Sequence, residues 1–136
     1  MAETENVRNR LRKQADDAKL FGIQGFCKEL LEVADTLDKA VESVPEDKLS
    51  DSSQPELTSL HRGVMMTREQ LHKVFNRNGL YKIQPKEGDA FDPNFHEALF
   101  AHSVEGKPSN TIMNVKDVGY KLHDRTIRPA MVGVFK

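Results

Sequence analysis

Residues 119–134 read Gly-Tyr-Lys-Leu-His-Asp-Arg-Thr-Ile-Arg-Pro-Ala-Met-Val-Gly-Val, and they contain the clearest structural signal in the chain. Their apolar residues come in short clusters that are typical of strands, and a polar turn at 123–126 divides them. The pattern predicts one strand at 120–122 and another at 127–135, the second interrupted by a proline and a glycine. An exposed turn with an arginine between two packed strands suits docking on a partner. It contains neither a nucleophile beside a base nor a set of metal ligands.

Further strand candidates precede this stretch. Apolar, β-branched and aromatic residues cluster at 80–83, 98–104 and 111–118, with glycine, proline and asparagine in the turns. A loop or a single helical turn is expected at 91–95. Together these segments predict a small antiparallel β-domain over residues 80–136.

The N-terminal part of the chain is predicted to be helical. Residues 3–44 contain no proline and indicate one continuous helix, roughly 60 Å long at about 1.5 Å per residue. Its apolar stripe is thin before Phe21 and then widens into two lines, which suits a two-helix contact followed by a bundle interior. Gly22 and Gly25 lie where the stripe changes, and they indicate either a local bend or the close approach of another helix.

A second helix is predicted after a polar loop. Pro45 ends the first helix, and residues 46–55 are rich in serine and aspartate. A three-four alternation of apolar residues follows and stops at Asn78-Gly79-Leu80, where glycine suits a left-handed cap. This helix is short enough to fold back along the later half of the first one. We therefore expect a helical part over residues 1–79 that contains a helical hairpin.

Composition and charge exclude several classes of protein. Hydrophobic residues are 38% of the 136 residues, charged residues are 30%, and the net charge is −1, so no overall charge attracts nucleic acid or anionic lipid. The single cysteine, Cys27, excludes an internal disulfide and any paired-cysteine motif. No apolar run reaches the roughly 18–20 residues of a membrane span. The first residues also lack the character of a signal or transit peptide.

The sequence predicts neither an enzyme nor a cofactor site. It has no glycine-rich phosphate-binding motif. His61 and His72 share a helix face but lie about 16 Å apart along the axis, too far for one zinc ion. The remaining histidines, His96, His102 and His123, have no companion set of carboxylates or cysteines.

Two blocks of sequence carry a family resemblance. The first is residues 91–99, Phe-Asp-Pro-Asn-Phe-His-Glu-Ala-Leu, and the second runs from Gly119-Tyr120 through Ile127-Arg128 to Ala130-x-Val132-x-Val134. Their sequences and spacing resemble the signature of the GrpE family. The stretch at 26–35 is similar to the bundle helix of its mitochondrial members, and those at 63–67 and 74–80 are similar to the second bundle helix. The resemblance covers nearly the whole chain.

The resemblance implies a fold and a function. Members of the GrpE family are nucleotide exchange factors of Hsp70 chaperones. The implied protein is an α+β homodimer of the mitochondrial matrix, with a dimeric four-helix bundle followed by a small C-terminal antiparallel β-domain. One β-domain would insert into the Hsp70 nucleotide-binding domain and distort the adenine and ribose pocket. ADP would then leave, ATP would bind, and the chaperone would release its substrate.

The resemblance also implies site residues. By motif position, the family's chaperone contacts correspond to Phe91, Pro93, Arg125 and Val134, and a sensitive bundle glycine corresponds to Gly63. Phe91 and Val134 are equally compatible with the β-domain core, Pro93 with a turn, and Gly63 with close helix packing. Arg125 is the best contact candidate, because its guanidinium can pair bidentately with an acidic partner, and we expect it to project into solvent.

The long helix carries the expected dimer interface: Phe21, Phe26, Leu30, Val33 and Leu37. Its apolar face is larger than one short helix can cover, which predicts an obligate dimer. Lys116 replaces a methionine that some bacterial members carry, which leaves chaperone contacts from residues 111–116 in doubt.

Two other functions are compatible with the pattern. A coiled-coil adaptor would use the β-domain only to cap the bundle, and a holdase would bind unfolded chains on apolar surface. Measuring ADP release from an Hsp70 would separate these functions from nucleotide exchange.

Overall fold

The computed structural model describes residues 2–136, which form helices followed by strands. The helices are α1 (Ala2–Phe21), α2 (Gln24–Glu42), α3 (Glu46–Leu49) and α4 (Pro55–Arg77). The strands are β1 (Leu80–Ile83), β2 (His96–His102), β3 (Thr111–Asp117), β4 (Gly119–Leu122), β5 (Arg125–Arg128) and β6 (Ala130–Phe135). The expected α+β class, with a long N-terminal helical segment and a C-terminal β-domain, is confirmed.

The long N-terminal helix is present, with a local interruption at Gly22 and Ile23 between α1 and α2. A Cβ atom at Gly22 would lie only 2.6 Å from the carbonyl oxygen of Ala18, so the backbone uses space that a side chain would fill. A Cβ at Gly25 would meet nothing within 4 Å. Gly22 therefore marks the local interruption of the helix, Gly25 lies within α2, and among the described residues no second helix lies against either glycine.

The end of α4 positions the first strand. Asn78 follows the helix, and Gly79 adopts a φ of +82° in the left-handed region that favours glycine. The imidazole of His123 occupies the space where a Cβ of Gly79 would lie, and the His123 amide donates a hydrogen bond of 2.7 Å to the Gly79 carbonyl. The predicted helix stop is confirmed, and it also anchors the turn between β4 and β5.

The β-domain contains two three-stranded sheets, ordered β1-β4-β5 and β2-β6-β3. All of the pairs are antiparallel except β2–β6, which is parallel. The predicted antiparallel β-domain is confirmed apart from this pair, which is parallel because β3 to β5 intervene and return the chain in the same direction. The predicted strand at 127–135 is also two strands in different sheets. Pro129, which has no amide hydrogen to donate to a ladder, lies between them.

Two buried clusters hold the molecule together. The helix–sheet core joins α2 and α4 to the first sheet and contains Cys27, Leu31, Ala34, Phe75, Leu80, Tyr120 and Leu122. The β core lies within the strands and contains Ile83, Ile112, Ala130, Val132 and Val134. The helical hairpin and the first sheet thus share one core, which fixes where the β4–β5 turn stands relative to the helices.

Candidate partner-binding surface

The turn at 123–126 lies against the interruption of the long helix. His123 has a φ of +54°, and its ring meets Phe21 edge-on, with centroids 5.9 Å apart. The guanidinium carbon of Arg125 lies 3.8 Å from the centroid of the Phe21 ring, in cation–π geometry. Arg125 Nη1 also donates a hydrogen bond of 2.8 Å to Oε1 of Gln24.

Arg125 is exposed to solvent, as expected, but its side chain also makes contacts within the chain. It lies over an aromatic ring of α1 and bonds to the first residue of α2. This position follows from the helix break, which leaves Phe21 and Gln24 beside the turn. A partner could still reach the guanidinium from the solvent side, and would then compete with Phe21 and Gln24 for it.

The loop that holds Phe91 and Pro93 lies beside the same turn. Asp92 organises the loop, because its Oδ1 accepts the amide of Asn94 at 2.9 Å and its carbonyl accepts the amides of two later residues. The hydroxyl of Thr126 donates a hydrogen bond of 2.9 Å to the carbonyl of Asn94. Pro93 and the Arg125 turn are therefore brought together on one exposed surface, which we call the docking surface.

Phe91 and Val134 occupy less accessible positions. Phe91 is half-buried and packs against the β core. Val134 is only 6% exposed and belongs to that core, on the central strand β6. The sequence left Val134 open as either a chaperone contact or a core residue, and its side chain lies in the core.

Gly63 lies apart from the docking surface. It is exposed in α4, and a Cβ there would meet nothing within 4 Å, so no close approach within one chain requires this glycine. The 14 residues that separate it from Arg77, the end of α4, correspond to about 21 Å along the helix axis. Lys116 is exposed on β3, beside acidic residues of α2 that include Asp35 and Glu42.

The residues assigned to the dimer interface leave an apolar face uncovered on the helical hairpin. Phe26 is 64% exposed and Val33 is 47% exposed, although both are large and apolar. Phe21, Leu30 and Leu37 are half-buried. On α4, Leu60 and Val74 are also exposed, and an apolar groove runs between the two helices.

Sequence reasoning missed a set of polar contacts around Tyr120. Arg128 forms a bidentate pair with Asp35, with Nη1 donating to Oδ2 at 2.6 Å and Nη2 donating to Oδ1 at 3.0 Å. Hydrogen bonding to Asp35, the largest cause, raises the pKa of Arg128 above its usual value. Burial, chiefly, raises the pKa of Tyr120 to about 12. No local sequence signal predicts these contacts, because 93 positions separate Asp35 from Arg128.

The surroundings of His72 on α4 were also not predicted from the sequence. Its ring lies parallel to that of Tyr120, 6.3 Å away between centroids, and edge-on to that of Phe75 at 5.6 Å. Neither His72 Nε2 nor the Tyr120 hydroxyl has a hydrogen-bond partner, and both atoms are buried. Burial, with a smaller contribution from Lys82, lowers the pKa of His72.

Residues 2–136 provide neither a metal-binding cluster nor a membrane-spanning helix. That part of the chain contains no group of three or more histidine, cysteine, aspartate or glutamate side chains placed to hold a metal ion. Its helices include none that is both long and apolar enough to cross a membrane.

Comparison with known proteins supplies the family. The GrpE family model matches residues 1–136. The chain is 54% identical over 136 residues to "GrpE protein homolog 1, mitochondrial" of Mus musculus, and equally so to "GrpE protein homolog, mitochondrial" of Drosophila melanogaster. All of this chain and 62% of each of those two proteins are covered, so it spans about three fifths of their length. It is 40% identical to "Protein GrpE" of Afipia carboxidovorans, again over all of this chain and over 67% of that protein. The chain belongs to the GrpE family.

Proposed function

We propose that this protein is a co-chaperone that binds the nucleotide-binding domain of an Hsp70-type chaperone and promotes the release of ADP. ATP then binds, and the chaperone releases its substrate. The observation that carries this proposal is the family match, which extends over residues 1–136. The protein acts by binding rather than by catalysing a covalent reaction.

The docking surface supports the proposal. Pro93 and Arg125 are both exposed, and the Thr126–Asn94 hydrogen bond holds their two turns together. An arginine at the rim of such a surface can form a bidentate pair with a carboxylate of the chaperone. Phe91 and Val134 contribute to the packing beneath this surface, since Val134 belongs to the β core and Phe91 packs against it.

We also propose that the protein is a homodimer in which two helical hairpins form a four-helix bundle. The exposed Phe26 and Val33 on α2, with Leu60 and Val74 on α4, form an apolar face that a second copy would cover. Gly63 is exposed on α4 of the same hairpin, where it would allow close packing between the copies. Fully burying each large side chain contributes about 1.5–3 kcal/mol as an upper limit, so this face could stabilise a dimer substantially.

The mitochondrial matrix is the proposed location. The curated relatives from Mus musculus and Drosophila melanogaster are named as mitochondrial proteins, and each is 54% identical to this chain. Import of a fluorescent fusion of the full-length protein into isolated mitochondria would test the location. Retention of the fusion outside the organelle would contradict it.

The exchange function is tested by measuring ADP release from an Hsp70-type chaperone. A fluorescent ADP analogue is loaded on the chaperone, and its dissociation is followed by stopped flow with and without this protein. We expect release to accelerate and to saturate with concentration. A rate that does not change would reject nucleotide exchange, and suppressed aggregation of an unfolded protein without any effect on ADP would favour a holdase.

The dimer is tested independently by sedimentation equilibrium at micromolar concentration. We expect twice the chain mass of 15.4 kDa. Phe26→Asp places a charge on the exposed apolar face, and it should shift the equilibrium to monomer. A wild-type protein that remains a well-folded monomer would reject the four-helix bundle.

A further inference from the structure

The first sheet is attached to helix α2 at two points along β5. Arg125, at the start of β5, bonds to Gln24, and Arg128, at its end, bonds to Asp35. Gln24 and Asp35 are 11 positions apart, which is about 16 Å along a helix. Strand β5 therefore has one polar attachment to α2 at each end.

Arg128 makes the more extensive attachment. Besides its two bonds to Asp35, its Nε and Nη2 donate to the carbonyl of Val118 at 3.1 and 2.6 Å. Its guanidinium carbon lies 5.2 Å from the centroid of the Tyr120 ring. Val118 lies between β3 of one sheet and β4 of the other, so this side chain joins α2, β5 and the connection between the two sheets.

Apolar packing holds the hairpin and the strands together, but it defines the angle between them less sharply than paired hydrogen bonds do. The hydrophobic contacts of the helix–sheet core are strong but have little directional preference. A bidentate arginine–carboxylate pair adds geometric specificity, because two parallel hydrogen bonds define an orientation. The Arg125 attachment is weaker in this respect, since it has one hydrogen bond and an exposed cation–π contact.

We propose that Arg128, through its pair with Asp35, is a positioning residue that sets the angle of the β-domain on the helical hairpin. It thereby directs the docking surface towards the chaperone without contacting the chaperone itself. This inference rests on the proposed exchange function. When the chaperone engages Arg125 and displaces it from Gln24, the Arg128–Asp35 pair remains as the fixed attachment.

The test uses Asp35→Asn and Arg128→Lys, with Asp38→Asn as the matched control. Asp38 pairs with Arg68 at 3.5 Å and joins α2 to α4 within the hairpin, so its loss should leave the β-domain angle unchanged. Amide residual dipolar couplings report the orientation. We expect helices and strands of the wild type and of Asp38→Asn to fit one common alignment. The two test variants should require separate alignments for the hairpin and the β-domain.

Exchange kinetics supply the second readout. At saturating exchange factor, the maximal rate of ADP release should fall about three- to thirty-fold in Asp35→Asn and Arg128→Lys. Their affinity for the chaperone should change less than this rate, because the contacts of the docking surface are intact. A residue that only stabilised the fold would leave the maximal rate of the folded protein unchanged.

The outcomes separate the two proposals. If wild type does not accelerate ADP release, the exchange function fails, and the dipolar couplings still decide whether the pair sets the angle. If wild type is active but both variants keep its alignment and maximal rate, the positioning role is overturned. If the variants alter the alignment of the β-domain but keep the maximal rate of ADP release, the pair sets the angle without affecting exchange, and the functional part of the positioning proposal is overturned. If both variants unfold, the Arg128–Asp35 pair is required for folding and the positioning role is overturned.

Discussion

Helices α1 and α2 belong to the same long segment, but different contacts hold them. None of the 20 residues of α1 is buried, whereas α2 buries Cys27, Leu31 and Ala34 against α4 and the first sheet. Both carry apolar stripes, so periodicity predicts a helix in each. An isolated helix of this length is only marginally stable in water, since most helical stability in proteins comes from packing. Helix α2 is therefore stabilised by the helix–sheet core, whereas α1 has no buried residue within its own chain to stabilise it.

The largest expected difference between the two helices is in protection from hydrogen exchange. Local stability ranges from near zero for frayed segments up to the global unfolding free energy of about 5–15 kcal/mol for core elements. We expect the amides of α1 to exchange much faster than those of α2 and of the first sheet. On heating, the far-UV helix signal should fall in an early, reversible step while the strands remain protected. A single transition, with helix and strand probes coincident, would contradict this prediction.

Substitutions of a leucine in the two helices should differ in their cost to stability. Leu31 is 2% exposed in the helix–sheet core, and Leu31→Ala should lower the free energy of unfolding by about 2–5 kcal/mol. Leu11 is 56% exposed in α1, and Leu11→Ala is the matched control, with an expected change within about 0.5 kcal/mol. Urea denaturation at fixed protein concentration measures both. An equal loss of unfolding free energy in the two variants would show that α1 is packed as firmly as α2. If the loss in Leu11→Ala depends on protein concentration, Leu11 packs in the proposed dimer interface.

Local pattern predicted most elements of this fold but few of its contacts. The strand predicted at 80–83 coincides with β1, and the helix stop at Gly79 has the expected left-handed geometry. The parallel pairing of β2 with β6 was missed, because strand direction within a sheet depends on segments distant in sequence.

The candidate site was predicted less completely than the fold. Family resemblance located Pro93 and Arg125, which the structure places on one surface. It could not reveal that Arg125 lies on Phe21, since 104 positions separate the two residues in the sequence. The sequence also could not decide between the core and the contact position for Val134, because the predicted strand at 127–135 is two strands in different sheets. Burial of a strand residue depends on which sheet it joins.

Arg125→Ala tests the contact between the β4–β5 turn and the junction of α1 and α2. The residue touches Phe21 of α1 and Gln24 of α2, and an exposed cation–π contact contributes about 0.5–1 kcal/mol. The expected loss of folding stability is therefore at most about 1 kcal/mol. If Arg125 pairs with a chaperone carboxylate, its removal should weaken binding by about 2–5 kcal/mol, which is roughly thirty-fold or more. Calorimetric titration and ADP release at sub-saturating exchange factor measure this loss.

Two controls accompany that measurement. Arg125→Lys should recover only part of the affinity, because an ammonium cannot reproduce the bidentate fork. Arg12→Ala, on exposed α1, should affect binding less. If Arg125→Ala unfolds the β-domain, the arginine is a structural residue. If the variant changes neither the melting temperature nor the rate of ADP release, the docking surface lies elsewhere.

The smallest expected effect concerns pH and the core that α2 shares with the first sheet. Burial lowers the pKa of His72 in the folded protein, with Lys82 and Arg68 also opposing protonation and Asp38 favouring it. The unfolded chain therefore takes up the proton first as the pH falls below about 6.5, the usual value for histidine. Stability should decrease as the pH falls through the window between the unfolded and folded pKa values, and the loss contributed by His72 should be complete below the folded value.

His72→Phe should reduce this dependence on pH. Phenylalanine keeps an aromatic ring beside Tyr120 and Phe75, and it removes the buried Nε2, which has no hydrogen-bond partner. An unpaired buried polar atom is costly, so the variant should be at least as stable as wild type at pH 8. The difference in unfolding free energy between pH 8 and pH 5 should be smaller than in wild type. His102→Gln, at an exposed position of β2, is the control and should keep the wild-type dependence. If the unfolding free energy depends on pH identically in wild type and in His72→Phe, His72 is not the titrating group. Any loss of stability at low pH would then come from another residue.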